Sequence, residues 1–255
     1  MTACLRTLSL LALAALLAAC TSAPTATLGE LPRTPQASIE ELLQQASSSQ
    51  PQEAASLRLA AADQAYKLND NGQAARILEQ VQLDSLLPAQ QIFASTLQAE
   101  LALARNKPKT ALKALSHPSL ERLSELPVEQ QVRSQLARAN ALAASGQALP
   151  AARERIFIAP LLSGAAANSN HQAIWALLDS LPLSQLQDSG DADLNGWLAL
   201  ARAAKSNGTP EQQQAAIDAW RQQNPQHPAA QNLPEQLNQL KQLANQPLSK
   251  IALLL

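Results

Sequence analysis

The chain has 255 residues, of which 46% are hydrophobic, 15% are charged and only 2% are aromatic, and its formal net charge is -1. This near-neutral balance excludes a bulk electrostatic attraction to nucleic acid, so we expect no nucleic-acid partner. Alanine and leucine supply most of the hydrophobic residues, and both are strong helix formers, whereas β-branched residues are sparse. The composition therefore predicts an all-α protein.

The N-terminus has the pattern of a bacterial lipoprotein signal. A short apolar run closes with Leu17, Ala18, Ala19 and Cys20. The run is shorter than the about 20 apolar residues that a membrane-spanning helix needs, but it fits the apolar core of a signal peptide. We therefore predict a signal peptide over residues 1–19, a cleavage site formed by Leu17, Ala18 and Ala19, and lipidation of Cys20. A buried cysteine that follows an apolar helix is the alternative interpretation.

Acyl chains on Cys20 would hold the rest of the chain at a membrane surface. Each buried methylene contributes about 0.8 kcal/mol, and about two chains give stable anchoring. Position 21 is threonine. In Gram-negative lipoproteins an aspartate at this position usually means retention in the inner membrane, so the resemblance to those proteins implies a location on the periplasmic side of the outer membrane. The other cysteine, Cys4, lies in the predicted signal peptide, and we therefore expect no disulfide in the mature chain.

The predicted mature chain begins with a tether and continues as one helical domain. Residues 20–37 are rich in threonine, serine, alanine and proline, which predicts a flexible, lipidated tether. Ser38 and Glu41 have the spacing of a capping box and mark the start of the first helix. We assign residues 38–245 to a helical-repeat domain.

The middle of the chain repeats a helix–turn–helix unit. Each copy has apolar residues at helical spacing, then a polar break, then a second apolar helix. The breaks lie at residues 69–72, 106–108, 145–146 and 206–210. Within two of them, we predict that Asn71-Gly72 and Asn207-Gly208 adopt left-handed helix ends.

These units resemble tetratricopeptide repeats. The steps from Ala74 to Ala111 and from Ala111 to Ala151 are 37 and 40 residues, longer than that family's period of about 34. The resemblance implies a curved solenoid in which each unit buries the apolar face of its neighbour. Small residues stand where the paired helices must approach closely: Ala62, Ala99 and Ala139.

The stretch over residues 160–190 fits the repeat least. It holds a small-residue loop at 163–168 and then a predicted helix around Trp175. Two further tryptophans follow, at positions 197 and 220, and we expect all three to pack between helices rather than form an exposed binding site. Asn195-Gly196 lies just inside a predicted helix start, and the sequence alone offers no explanation for it.

The C-terminus changes character again. Residues 246–255 form a linker followed by a short apolar run that contains Ile251, which is typical of a buried parallel strand. Such a strand needs neighbouring strands and covering helices. We therefore expect it to be the first strand of a second, α/β domain and the chain to be a fragment of a longer protein.

This combination resembles the N-terminal half of the LpoA family, outer-membrane lipoproteins that activate a class A penicillin-binding protein. The resemblance rests on the lipobox at Cys20, the degenerate repeats and the Lys-Ile-Ala-Leu-Leu-Leu run at residues 250–255. It implies that the missing half has a periplasmic solute-binding fold. It also implies contact through the peptidoglycan layer with a bifunctional synthase, whose activity the lipoprotein stimulates. The activating contact is attributed to the family's C-terminal half, so the repeats would supply reach and further contacts, with peptidoglycan as a candidate. Only Cys20 and its lipobox carry over residue by residue.

Catalytic chemistry is not expected. His117, His171 and His227 stand at no metal-binding spacing, and two of them precede proline, which predicts surface or helix-capping roles. Glu40-Glu41 begins a helix, where negative charge suits the dipole, so it is not interpreted as an acid/base pair. We expect no metal, no cofactor and no enzymatic activity.

The sequence leaves three functions open. The first is the synthase-activating lipoprotein. The second is a generic outer-membrane helical-repeat scaffold for the assembly of envelope proteins, because such repeats bind protein segments without specifying the partner. The third is a wall-cleaving enzyme with a helical superstructure, which no catalytic glutamate in a credible local setting supports.

Overall fold

The computed structural model describes residues 27–32, 36–206 and 208–244. Over these residues the chain forms twelve α-helices and four short 3-10 helices and contains no β-strand, which confirms the all-α prediction. The predicted signal peptide, Cys20 and the predicted C-terminal strand lie outside the described residues. The α-helices are α1 (Ile39–Ser48), α2 (Pro51–Lys67), α3 (Asn71–Leu78), α4 (Pro88–Ala104), α5 (Pro108–Ala114), α6 (Val128–Ala144), α7 (Ala148–Ile158), α8 (Gly164–Asp179), α9 (Ala192–Ala204), α10 (Pro210–Gln223), α11 (Pro228–Gln231) and α12 (Glu235–Ala244).

The start of α1 is the predicted capping box. The Ser38 Oγ accepts a hydrogen bond from the Glu41 amide at 3.2 Å, and the Glu41 Oε2 accepts one from the Ser38 amide at 2.8 Å. The amides of Ser38 and Glu41, which have no intrahelical carbonyl partner, are thereby satisfied. Just upstream, the backbone carbonyl of Leu28 accepts from the Ala89 amide at 2.8 Å, so part of the predicted tether packs against α4.

Three repeats share one register. Helices α2, α4 and α6 each have 17 residues. In each of these helices, a fully buried alanine stands eleven positions after the first residue (51 to 62, 88 to 99, 128 to 139). In the helices that follow them, α3, α5 and α7, a fully buried alanine stands three positions after the first residue (71 to 74, 108 to 111, 148 to 151). Alanine at these points lets the paired helices approach closely. The repeat predicted from sequence is thus confirmed as a helix pair.

The turns inside these repeats share a backbone conformation. Asn69, Asn106 and Gly146 all have positive φ, at 62°, 55° and 76°. The amide that follows each one bonds to the carbonyl five residues earlier, at 2.9 Å in all three turns. This is the Schellman arrangement, and asparagine and glycine are the residues that adopt it most readily.

The position predicted for the first of these turns was wrong. The left-handed residue is Asn69, and Asn71-Gly72 instead opens α3. Asp70 is the N-cap, because its Oδ1 accepts from the Gln73 amide at 2.8 Å. A capping carboxylate therefore starts the second helix immediately after the turn. Asn207 lies outside the described residues.

The irregular stretch also differs from the prediction. Residues 164–168, expected to be a loop, form the first turns of α8. Three alanines stand there, and alanine has the highest helix propensity. The tryptophans behave as predicted: Trp175, Trp197 and Trp220 are 2%, 3% and 4% exposed and lie in one hydrophobic cluster.

The core is divided along the chain. Four hydrophobic clusters follow one another from α1 to α12 in the described part, and helices pack chiefly on their neighbours in sequence. That nearest-neighbour packing is the physical signature of a solenoid. Among the described residues, no helix is both long enough and apolar enough to cross a bilayer.

Candidate functional site

The first helices of three successive repeats form a groove, which we call the first-helix groove. Its cavity has a volume of about 580 Å³. Tyr66 of α2 and Glu100 of α4 line one part of it, and Glu129, Arg133 and Asn140 of α6 line another. The groove is open and mixed in chemistry, which suits a protein segment better than a small molecule.

Arg133 joins all three repeats at the floor of this groove. Its Nε and Nη2 donate to the two carboxylate oxygens of Glu100 at 2.9 and 2.6 Å. Nη2 also lies 3.5 Å from Asp63, whose other oxygen is 2.7 Å from the Lys67 Nζ. The guanidinium sits 4.6 Å from the centre of the Phe93 ring. A bidentate, stacked arginine of this kind fixes geometry as well as charge.

The environment of this cluster shifts two pKa values. Burial by itself lowers the pKa of Arg133, but the hydrogen bond and charge of Glu100, together with Asp63, outweigh it and leave the pKa above its usual value. Burial, assisted by the negative charge of Glu100, raises the pKa of the Tyr66 phenol. Arg133 therefore stays charged and Tyr66 stays a neutral hydrogen-bonding group on the groove wall.

A buried polar contact holds α4 against α6 beneath the groove. The hydroxyls of Thr96 and Ser134 are 2.7 Å apart, and the Gln130 Nε2 donates to them at 3.3 and 3.1 Å. All three side chains are at most 4% exposed. Because the two hydroxyls and the Gln130 Nε2 are bonded to one another, the contact specifies one alignment of the two helices.

A second pocket lies among α7, α8, α9 and α11. It has a volume of about 320 Å³ and is lined mainly by apolar side chains together with His171, Asp193, Trp197 and His227. His227 packs edge-on against Trp197 and Trp220, with ring centres 5.2 and 5.1 Å apart. The pocket is therefore walled by rings that also build the core.

His227 is a capping residue, as predicted. Its Nδ1 accepts from the Ala229 amide at 3.2 Å at the start of α11. His117 does the same for the Ser119 amide at 3.3 Å. Burial lowers the pKa of His227 and of His171, which favours the neutral rings. Within the described part of the chain, no group of three or more histidine, cysteine, aspartate or glutamate side chains is arranged to hold a metal ion.

The same ring explains Gly196, which the sequence did not. A Cβ at position 196 would lie 2.5 Å from the His227 Cδ2. The Gly196 carbonyl accepts from the Trp220 Nε1 at 3.1 Å. Glycine therefore allows His227 and Trp220 to lie directly against the backbone of α9.

Sequence reasoning did not find the Arg133 cluster. Its members are 33 and 70 residues apart in the chain, and no local motif connects them. The repeat register was the available signal, because Asp63, Glu100 and Arg133 stand on the first helices of successive repeats. The residues that were predicted as a site, namely Leu17, Ala18, Ala19 and Cys20, lie outside the described residues.

Comparisons with known proteins agree with this architecture. The family described as "LppC putative lipoprotein" matches residues 32–255. The penicillin-binding protein activator LpoA of Serratia proteamaculans is 32% identical over 98% of this chain and 37% of its own length. The activator LpoA of Edwardsiella piscicida is 32% identical over 98% of this chain and 36% of its own length.

Solved structures show the same fold. The amino-terminal domain of Escherichia coli LpoA superposes with a TM-score of 0.59 and 28% identity, covering 80% of this chain and 92% of that domain. The N-terminal domain of Haemophilus influenzae LpoA gives a TM-score of 0.59 and 25% identity, covering 85% of this chain and 97% of that domain. The chain spans little more than a third of the curated relatives' length but nearly all of these domains. The family resemblance is confirmed: the chain belongs to the LppC lipoprotein family and has the helical fold of the LpoA N-terminal domain.

Proposed function

We propose that the protein carrying this chain is an outer-membrane lipoprotein that binds and activates a class A penicillin-binding protein and so regulates peptidoglycan synthesis. The observation that carries the proposal is the family match, in which relatives covering 98% of the chain are named activators of penicillin-binding proteins. The helical part acts as an arm or an interaction module, without catalysis of its own. Peptidoglycan itself is a further candidate contact.

The anchor is proposed at Cys20, on the periplasmic side of the outer membrane. The family's description as a lipoprotein supports it. The proposed organisation is a signal peptide at 1–19, a tether at 20–37, the repeat domain at 38–245, and a linker with the first strand of a further domain at 246–255.

Replacement of the cysteine tests the anchor. Cys20→Ser should abolish metabolic labelling with palmitate and move the protein out of the outer-membrane fraction. Cys4→Ser is the matched control, because this cysteine belongs to the segment that is removed, and it should change neither result. Persistent labelling of the Cys20→Ser variant would contradict the assignment.

The first-helix groove is the proposed contact surface of the helical part. Its three repeats are tied together by Arg133, so the groove is held open and needs little ordering before it binds. Preorganised surfaces lose less entropy on association.

A pull-down tests the function. The chain is immobilised beside a full-length relative and exposed to detergent-solubilised envelope proteins labelled with fluorescent penicillin. Retention of a class A penicillin-binding protein by both shows that the repeats hold a docking surface, which an Arg133→Ala variant should weaken. If only the full-length relative retains the synthase, the repeats act chiefly as an arm that extends from the outer membrane. If neither retains one and other envelope proteins are captured, the generic scaffold replaces this proposal.

A further inference from the structure

A second groove lies on the opposite side of α4, and we call it the second-helix groove. It consists of two adjoining cavities, of about 190 and 350 Å³, that share Gln98 and Thr110 as lining residues. Helix α3 forms one wall, α5 forms the other, and α4 lies between them. The shared residues place the two cavities side by side along α4, between the second helices of neighbouring repeats, and together we call them the channel.

The channel carries unpaired positive charge. Arg105, Lys107 and Lys113 line it, and none of the three side chains forms an ion pair or a hydrogen bond with another described residue. Glu79 is the acidic side chain among its described lining residues. Arg133 in the first-helix groove differs, because two carboxylates already neutralise it. The cations of the second-helix groove thus remain available to a ligand, although the whole chain has a formal net charge of -1.

The channel is also lined by polar side chains that have no hydrogen-bond partner among the described residues. Ser95 lines the larger cavity, is 1% exposed, and its Oγ has no hydrogen-bond partner among the described residues. Burial of an unpartnered hydroxyl costs free energy unless a ligand or water satisfies it. The exposed side chains of Gln98 and Thr110 have no hydrogen-bond partner among the described residues and line both cavities. Leu78 and Leu101 provide apolar wall.

We propose that the second-helix groove binds an extended acidic peptide segment of a partner protein. Its carboxylates would pair with Arg105, Lys107 and Lys113, and its main-chain amides would bond to Gln98 and Thr110. Alternate side chains of an extended strand point to opposite sides, so the acidic residues can face the cations while small apolar residues face Leu78 and Leu101. This surface is distinct from the first-helix groove, and the inference does not rest on activation of a synthase.

Fluorescence anisotropy tests the proposal on the full chain in mild detergent. The probe is a fluorescein-labelled octapeptide that alternates glutamate with leucine or glycine, and the control peptide has glutamine in place of every glutamate. The acidic peptide should bind at least about tenfold more tightly than the glutamine peptide, and added salt should weaken its binding. Equal binding of the two peptides, or no binding of either, overturns the proposal.

Matched variants separate this groove from bulk charge. Arg105→Glu and Lys113→Glu should each weaken binding about tenfold. Arg153→Glu is the control, since Arg153 is an exposed cation of α7 outside the groove, and it should change binding less than about twofold. Thr110→Phe keeps every charge but blocks the junction of the two cavities, and it should also weaken binding. Circular dichroism confirms that each variant is folded. An Arg153→Glu effect as large as the others, or no effect of Thr110→Phe, contradicts the geometry.

Sedimentation with purified peptidoglycan separates the remaining ligand class. The Arg105→Glu and Lys113→Glu variants should sediment with peptidoglycan as the unchanged chain does. If these variants lose sedimentation and the acidic peptide does not bind, the groove is a cell-wall site and the peptide proposal is wrong.

Discussion

Replacement of Gly196 by alanine should destabilise the protein, although alanine is the better helix former. Gly196 lies within α9, where helix propensity alone favours alanine by about 1 kcal/mol. The new methyl group would lie 2.5 Å from the His227 Cδ2 and 2.7 Å from its Nε2. The ring cannot move freely, because it caps α11 and packs between Trp197 and Trp220.

The magnitude follows from these opposing terms. Overpacking of a well-filled core costs about 1–3 kcal/mol, and loss of an N-cap costs about 1 kcal/mol. After the gain of about 1 kcal/mol in helix propensity is subtracted, the free energy of unfolding should fall by about 1–3 kcal/mol. For a protein of this size, each kcal/mol corresponds to about 2–4 °C in Tm, so we expect Tm to fall by about 2–12 °C.

Thermal unfolding followed by circular dichroism measures this change. The chain's three tryptophans all belong to the cluster around Gly196, so tryptophan fluorescence reports its unfolding selectively. Gly72→Ala is the control. A Cβ there meets its nearest atoms at 3.4 and 3.5 Å, which is ordinary contact, and we expect unchanged or slightly higher stability.

A second substitution identifies the cause. His227→Ser removes the ring and keeps a residue that caps helices well. In the His227→Ser background, Gly196→Ala should no longer destabilise the protein. The reasoning is refuted if Gly196→Ala is as stable as the unchanged chain, or if its effect is the same with and without the ring.

Two further predictions concern charge. Arg133→Ala leaves Asp63 and Glu100, whose side chains are 8% and 16% exposed, without their shared cation. We expect the free energy of unfolding, measured in urea, to fall by about 2–4 kcal/mol. Arg138→Ala is the control: it breaks a more exposed pair with Glu154 and should lower the free energy of unfolding by at most about 1 kcal/mol. Equal effects of the two substitutions would contradict the connecting role of Arg133. The second prediction concerns pH. Burial lowers the pKa of His227 and His171, so below about pH 6.5 the unfolded chain binds more protons than the folded chain. The stability of the folded protein should therefore fall as the pH drops below about 6.5. Tm at pH 5.5 should therefore lie below Tm at pH 7.5, and His227→Asn should reduce the difference; a Tm that rises on acidification would show that these histidines are not held neutral.

The sequence predicted those features that depend on local pattern. The repeat register followed from apolar periodicity and from alanines at corresponding positions, because close helix packing imposes the same small residue in each copy. The capping box at Ser38 and the capping histidines followed equally, since a cap involves residues only two or three apart. The helix end was misplaced from Asn69 to Asn71-Gly72 because several turn-forming residues stand together there.

Features that depend on tertiary contact could not be predicted. Gly196 is explained by a ring 31 residues away in the chain (196 to 227), and Arg133 by carboxylates 33 and 70 residues away. The second-helix groove combines features that the sequence shows with features that depend on tertiary contact. Its basic residues are visible as a run between positions 105 and 113, but the unpartnered Ser95 hydroxyl becomes significant only once α4 and α5 are packed.

The decisive test of the proposed function is the rate of glycan polymerisation by a purified class A penicillin-binding protein, measured with and without the proposed full-length lipoprotein. We expect a faster rate with the lipoprotein, and no change with a control protein of similar size and charge. Removal of the helical repeats should also weaken the interaction when the synthase and the lipoprotein are anchored in opposing membranes. An unchanged rate at saturating lipoprotein, with no complex detected, would contradict the proposed function.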